Sequence, residues 1–394
     1  MTMERIGEAA GRELVRSWGS EIDEGTLRQA LTSARCEAVS APVALMPDAH
    51  LGIGATVGSV IPTEGAIIPA AVGVDLGCGM IAVRTDLTAG DLPDGLDPLL
   101  ADVGQTIPAG FAAHPRTTRA GERWLAANPL PQPEGLGRKD IAKVGPQLGT
   151  LGGGNHFVEV SLDEAERVWC VLHSGSRGIG NRLATGHIAG ARSLCADLQR
   201  TLEDRDLAYF LQSDPDFDRY VTHMLWAQRY AFANREIMMD ALLASLGRAV
   251  GRRPGEAERI NCHHNYAARE THDGRRMWIT RKGAIRARAG DRGVIPGSMG
   301  SDSYVVTGLG NPDSYTSAAH GAGRRMSRKR AKRELSIDDF RSSMSGRAWQ
   351  RDRAERLVDE SPMAYKDITA VMADQADLVR VDHVLRAVMN YKGC

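Results

Sequence analysis

The sequence has no stretch of about 18 or more apolar residues, so no helical membrane span is expected. Its first residues, MTMERIGEAAGRELVRSWG, lack the basic, apolar and small-residue segments of a secretory signal, and the expected location is the cytoplasm. The six cysteines, Cys36, Cys78, Cys170, Cys195, Cys262 and Cys394, form no C-x-x-C pair. That excludes a zinc ribbon or a thioredoxin-like motif. Reduced thiols are expected, most of them buried small hydrophobes and one a candidate ligand. There is no G-x-x-x-x-G-K-[ST] loop and no G-x-G-x-x-G after a strand, so any nucleotide must be held by another device. Repeats and long low-complexity tails are also missing. Formal net charge is zero, so bulk charge does not argue for a polyanionic partner.

The 394 residues, 42% of them hydrophobic, suffice for one large core or two ordinary ones. Charge is concentrated locally. The run GRRMSRKRAKRE, residues 323–334, carries Arg324, Arg325, Arg328, Lys329, Arg330, Lys332 and Arg333. It reads either as a phosphate-backbone contact or as a solvated face beside acidic neighbours.

Glycine turns separate apolar segments across residues 43–84, where VALMP, AIIPAAVGVD and MIAVRT read as short buried strands. Residues 87–147, with Pro129, Pro131 and Pro133, read as a peripheral excursion. HFVEV, RVWCVLH, MWIT and SYVV return to strand character. Residues 213–247 read as a helix, with Val221, Met224, Leu225, Phe232, Leu242 and Leu243 on its apolar face and Gly247 as its stop. Ser336 to Asp339 fit a capping box with Asp in place of Glu, opening another helix.

Several chemically capable side chains stand beside glycines or in polar segments near expected strand ends. Asp75 and Cys78 lie in GVDLGCGM, His156 in GGGNHFVE, His173 at the head of HSGSRG and His264 in NCHHNY. Carboxylate and imidazole suit manganese or zinc, thiolate favours softer metals, and a bridging thiolate suits a two-metal site. Taken singly, each is more often a hydrogen-bonded core or surface residue. In AAHGAGRRMSR, His320 is followed by small residues that would give a phosphate access to its ring. The alternative is a histidine in a turn. IPGSMG offers backbone N–H groups and the Ser298 hydroxyl to a purine edge or a phosphate, or is a plain proline-glycine turn. Lys392, almost at the chain end, would ordinarily be solvated.

Together, MPDAHLGIG (46–54), GVDLGCGM (73–80), LGGGNHFVEV (151–160), HSGSRGIGN (173–181), NCHHNY (261–266), RKGA (281–284), PGSMGSDSY (296–304), HGAGRRMSR (320–328) and YKG (391–393) resemble the RtcB family of RNA ligases. The segments come in family order over nearly the whole chain. The resemblance implies an α+β fold of the RtcB type: mixed and antiparallel sheets around a deep metal-containing cleft, flanked by helices, in one domain of residues 1–394. It implies two manganese ions held by Asp75, Cys78, His156, His173 and His264, with Cys78 bridging. His320 would be the guanylylated nucleophile. Asn155, His156, Phe157, Val158, Glu159, His264, Asn265, Pro296, Gly297, Ser298, Met299, Ser303, His320, Gly321, Ala322, Gly323 and Lys392 would contact the guanosine triphosphate (GTP). Glu159 and Lys392 would fix the identity of the base.

The implied reaction joins an RNA 3′-phosphate or 2′,3′-cyclic phosphate to a 5′-hydroxyl through guanylylated histidine and a guanylate-activated 3′ end, as transfer RNA splicing and RNA repair require. Arg177, Asn181 and Arg235 are candidate RNA-phosphate contacts; the alternatives are a structural salt bridge for Arg177 and a solvated helix position for Arg235. A monomer is the default expectation, with an accessory activator left open. Two rival readings are a metal-dependent cyclic phosphodiesterase without ligation and a non-catalytic RNA-binding protein that uses the basic run.

Overall fold

In the computed structural model, which describes residues 3–9 and 11–393, two sheets carry the site between them. The first has the strand order Glu4–Ala9, Arg12–Ser17, Val43–His50, Val57–Thr63, Arg275–Lys282, Asn265–His272. It is antiparallel except where Arg12–Ser17 runs parallel to Val43–His50. The second runs Glu256–His263, Gly79–Thr88, Arg167–Ser174, Phe157–Leu162, Val379–Lys392, Ser303–Gly308, Arg292–Ile295, antiparallel throughout, with Ala348–Trp349 added in parallel to Val379–Lys392. It curls until its ends meet: Arg292 of the last strand pairs with Glu258 of the first at 2.7 Å. Alternation along the strands sends Met80, Ala82, Trp169, Val171, Ile260, Val294, Val305 and Leu385 into one cluster on one face. The opposite face offers Ile81, Val83, Cys170 and Leu172 to a helix.

That helix is Phe217–Val250, and Met238, Met239, Leu242, Leu243 and Leu246 supply its contact with the sheet. The expected stop at Gly247 falls one turn early. The chain ends the helix at Gly251, whose φ of 77° is the left-handed cap that glycine adopts without strain. Phe232, expected on the buried face, is 41% exposed beside the His263 ring. A second correction concerns AIIPAAVGVD. Only Ala66–Ile67 pairs as a strand, and Pro69–Val72 is a helical turn with proline at its start. Proline has no N–H for a ladder, but it suits the first turn of a helix, where that N–H has no partner.

Residues 87–147 hold the helices Asp97–Thr106, Arg119–Ala127 and Arg138–Gln147. Leu99 and Val103 of the first join the core beneath the long helix, so this stretch is anchored at its start. Ser336 caps Ile337–Ser343 through the Asp338 and Asp339 amides. The basic run forms Arg328–Glu334, where Arg328 and Lys332 face Asp359 and Arg330 and Arg333 face Glu334. Much of its charge is therefore neutralised within the protein. Among the described residues no helix is long and apolar enough to cross a membrane. Cys394 lies outside the described residues; the other five cysteines are free thiols.

Candidate active site

The metal-binding candidates come from loops and strand ends of the second sheet. The turn after Gly73 carries Asp75 and Cys78 into the Gly79–Thr88 strand; His156 precedes Phe157–Leu162, His173 ends Arg167–Ser174, and His264 follows Glu256–His263. Their donor atoms converge in two groups: Asp75, Cys78 and His156, and Cys78, His173 and His264. Cys78 belongs to both. Its Sγ lies 3.4 Å from His156 Nε2 and 3.2 Å from His173 Nε2. His156 Nε2 lies 3.1 Å from Asp75 Oδ2.

The rings are oriented by their other nitrogens. His156 Nδ1 meets the Leu151 carbonyl at 2.9 Å, His173 Nδ1 the Asn155 carbonyl at 3.2 Å, and His264 Nδ1 the Asn265 Oδ1 at 3.3 Å. An acceptor at each Nδ1 keeps the proton there and leaves the Nε2 lone pairs facing inward. His173 Nε2 and His264 Nε2 are then only 2.8 Å apart, two lone pairs pointed at each other. Burial, and then the neighbouring imidazoles, hold both rings far below the usual histidine pKa, so neither can relieve the repulsion by protonation. A divalent cation is the partner that satisfies this geometry. Burial and the Asp75 charge push the Cys78 thiol well up, and a bound cation is what would make it a thiolate. Burial also raises Asp75, but its contact with His156 outweighs this and holds the carboxyl below its ordinary value.

Arg235 corrects the sequence reading. It is 0% exposed, neither solvated nor available to a polyanion. Its guanidinium donates to the Gly77 and Ser174 carbonyls at 2.8 and 3.0 Å and to Asn261 Oδ1 at 2.8 Å, with His263 Nδ1 at 3.2 Å. It thus ties together the three segments that carry Cys78, His173 and His264. Arg177 is likewise spent internally, on Thr150 Oγ1 and the Gly110 carbonyl, at 2.8 and 2.9 Å. Asn181, one turn further along the helix Arg177–Asp197, is exposed.

An open cavity of about 270 Å³ spreads from the metal-binding cluster. Asn155, Phe157, Glu159, His264, Asn265, Ser303, Lys392 and the segments 296–299 and 320–323 line it. Val158 does not bring its side chain there. It lies between Phe157 and Glu159 on one strand, so alternation turns it into the core. His156 reaches the cluster rather than the cavity wall. Lys392 is not frayed, because the 14-residue strand Val379–Lys392 carries it back beside Phe157. Its ammonium lies 2.7 Å from Glu360 Oε2, 3.2 Å from the Asn155 carbonyl and 5.3 Å from the Phe157 ring centre. Burial raises Glu360, but Lys392 and Arg328 outweigh it and bring the carboxyl down to about 2. Glu159 behaves oppositely. Burial pushes it up to about 7, against a 2.5 Å hydrogen bond from Asn390 Nδ2 and the more distant Lys392.

His320 stands at the junction of cluster and cavity, its ring centre 4.7 Å from that of His264. Nδ1 lies 2.6 Å from Oδ2 of fully buried Asp48, and the same oxygen accepts from the His320 backbone N–H at 3.2 Å. The ring contact is close but imperfectly aligned: among the described residues neither His320 Nδ1 nor Asp48 Oδ1 completes a hydrogen bond. Gly323, with φ of 72°, lies so near the Asp48 carbonyl that any Cβ would collide with it.

Sequence reasoning left Asp48, Glu360 and Asn390 without roles. Asp48 stands inside MPDAHLGIG, and only the three-dimensional approach of its strand to His320 reveals its task. Glu360 had one legible signal, an adjacent acidic pair downstream of a basic run.

The family model for the tRNA-splicing ligase RtcB matches residues 29–393. The RNA-splicing ligase RtcB of Escherichia coli (strain K12) is 44% identical over 410 residues, covering 96% of this chain and 97% of that protein. The RNA-splicing ligase RtcB of Mycobacterium tuberculosis (strain H37Rv) is 31% identical, with 85% and 93% covered, and the tRNA-splicing ligase RtcB of Pyrobaculum aerophilum is 28% identical, with 83% and 82% covered. The lone-pair cluster with its shared thiol, the histidine over the cavity and full-length similarity to these ligases agree, and the chain belongs to the RtcB family.

Proposed function

We propose that this RtcB-family member is an RNA ligase that joins a 3′-phosphate or 2′,3′-cyclic phosphate end to a 5′-hydroxyl end, using GTP and a manganese pair. The observation that carries this reading is the placement of His320, whose ring faces the metal-binding cluster on one side and the open cavity on the other. Asp75, Cys78, His156, His173 and His264 would hold the two ions, which when bound offset phosphoryl charge and orient the phosphates for in-line displacement.

The protein's own groups supply the remainder. Asp48 beside Nδ1 favours the proton at that nitrogen and leaves the Nε2 lone pair as the nucleophile. Nε2 attacks the α-phosphorus and pyrophosphate leaves. An oxygen of the RNA 3′-phosphate, released by water opening the ring where the end is a 2′,3′-cyclic phosphate, then attacks the same phosphorus, the N–P bond breaks, and the RNA carries an activated end. The 5′-hydroxyl oxygen of the second strand attacks the 3′-phosphorus, and guanosine monophosphate departs. A phosphate monoester alone has no good leaving group, which is why the guanylate must be attached first.

Base identity would be read at the far end of the cavity. Glu159 and Asn390 Oδ1, which has no hydrogen-bond partner among the described residues, offer two neighbouring acceptors. A guanine edge presents adjacent N–H donors, whereas adenine would leave such acceptors unpaired. A hydrolysis-only phosphodiesterase accounts for the metal ligands but leaves the His320 and Asp48 arrangement without use. The test is incubation with labelled GTP and manganese, followed by RNA halves bearing a 3′-phosphate and a 5′-hydroxyl. Label should pass to the protein, and a joined strand should follow.

A further inference from the structure

Phe111 is the most exposed large hydrophobic residue among those described, at 106% relative accessibility, and no family segment quoted above includes it. An aromatic ring left in water on a loose loop would mean little. This loop is pinned along its length. Gly110 N–H donates to the Gly152 carbonyl at 2.7 Å, Leu151 N–H to the Pro108 carbonyl at 2.9 Å, and Arg177 Nη2 to the Gly110 carbonyl at 2.9 Å. His114 adds its N–H to the Pro146 carbonyl at 3.0 Å and its Nε2 to the Gly149 carbonyl at 3.0 Å. The ring is therefore mounted on the same backbone, residues 149–154, that leads directly into Asn155 and His156.

The surface beside it is open. Gly153 and Gly154 are exposed, and a Cβ at Gly153 would come only within 3.7 Å of Gly110 and Gly393. One at Gly154 would have only Arg328 nearby, at 4.0 Å. A side-chain-free floor thus lies between the Phe111 loop and the helix Arg328–Glu334. Both segments carry unpaired positive charge. No acidic residue occurs between Asp102 and Glu122, and Arg116 and Arg119 are exposed without an ion pair among the described residues. Arg325 and Lys329, next to Arg328 in sequence, are exposed and unpaired in the same way.

An exposed aromatic, a side-chain-free floor next to the reactive cluster and unpaired cations suit a single nucleic-acid strand, because every base has a face that stacks and every linkage a charge to neutralise. We propose that Phe111 stacks on an unpaired nucleobase next to the reacting RNA end, while the sugar-phosphate backbone crosses Gly153 and Gly154 toward the cluster. The assignment rests on the RNA-joining reading above. Phe111 is a binding residue in this account and takes no part in guanylylation.

The experiment titrates labelled single-stranded RNA with a 3′-phosphate against wild type, Phe111→Ala and Phe111→Tyr by anisotropy, with manganese and without nucleotide. Guanylylation of each protein is measured separately with GTP. Phe111→Ala should weaken RNA binding roughly ten- to a hundredfold, Phe111→Tyr should bind within about twofold of wild type, and all three should form adduct at the same rate. RNA affinity unchanged in Phe111→Ala overturns the proposal and leaves the ring for a protein partner. Joint loss of RNA binding and adduct in Phe111→Ala also overturns it, by making the residue structural. Wild type that binds RNA through Phe111 but never forms adduct would sink the nucleotide assignment and not this one.

Discussion

Asp48 Oδ2 lies 2.6 Å from His320 Nδ1, and Asp48 has no exposure to solvent. A buried carboxylate at that nitrogen sets which side of the ring can act as nucleophile. Asp48→Asn keeps the size and removes the charge. It should slow formation of the guanylate adduct by roughly a hundredfold or more while leaving metal content unchanged. Rapid-quench adduct kinetics beside metal analysis checks this, and a wild-type rate would refute the positioning role.

Cys78 is the one side chain common to both candidate ligand groups. Cys78→Ala should lose metal together with adduct formation, whereas His264→Ala should disturb one group more than the other. Metal stoichiometry by elemental analysis decides; two equivalents of manganese retained by Cys78→Ala would contradict a bridging thiolate.

Arg235 holds the Gly77, Ser174 and Asn261 segments from the middle of the long helix. Arg235→Ala leaves two buried carbonyls without that donor and should destabilise the fold by about 3 kcal/mol or more. Lysine cannot reproduce the fork, so Arg235→Lys should recover little. A variant with an unchanged melting temperature and only weakened RNA binding would restore the surface role that burial now denies it.

Burial raises Glu159 to about 7, while the unfolded chain ionises it at the ordinary carboxyl value. Between those two pH values the folded protein keeps a proton that the unfolded chain has lost. The contribution to stability is full below the unfolded pKa and is lost as pH rises through the folded one. Glu159→Gln should therefore gain stability relative to wild type as pH rises from about 5 to about 8, at the cost of guanosine affinity. Wild-type affinity for GTP should itself rise across that window, as the carboxylate becomes available to accept from the base. Melting curves and nucleotide titrations over pH check both signs; a pH-independent difference between the two proteins would contradict them.

Much of this site was legible before any coordinates. Asp75, Cys78, His156, His173 and His264 stand in segments whose glycines and polar neighbours mark them, and these five do converge. The strands HFVEV, RVWCVLH, MWIT and SYVV were readable from alternation and β-branched content. What escaped reading depends on distant approach. Asp48 and His320 are separated by 272 positions, and Glu360 meets Lys392 only because a long C-terminal strand returns to the cavity. Arg235 was misjudged for a related reason. Its helix is buried over more of its circumference than an amphipathic pattern implies, and only the carbonyl cluster beneath it explains a charged residue there. Pro69 itself marks the helical turn that replaces the expected strand, since its ring fits the first turn of a helix.

The central claim is that His320 takes up the nucleotide, and intact mass spectrometry after incubation with manganese and GTP tests it most directly. Wild type should gain the mass of one guanylyl group, lost again when RNA with a 3′-phosphate is added, and His320→Ala should gain none while keeping its metal. A modified His320→Ala, or a wild type that never changes mass under these conditions, would contradict the account.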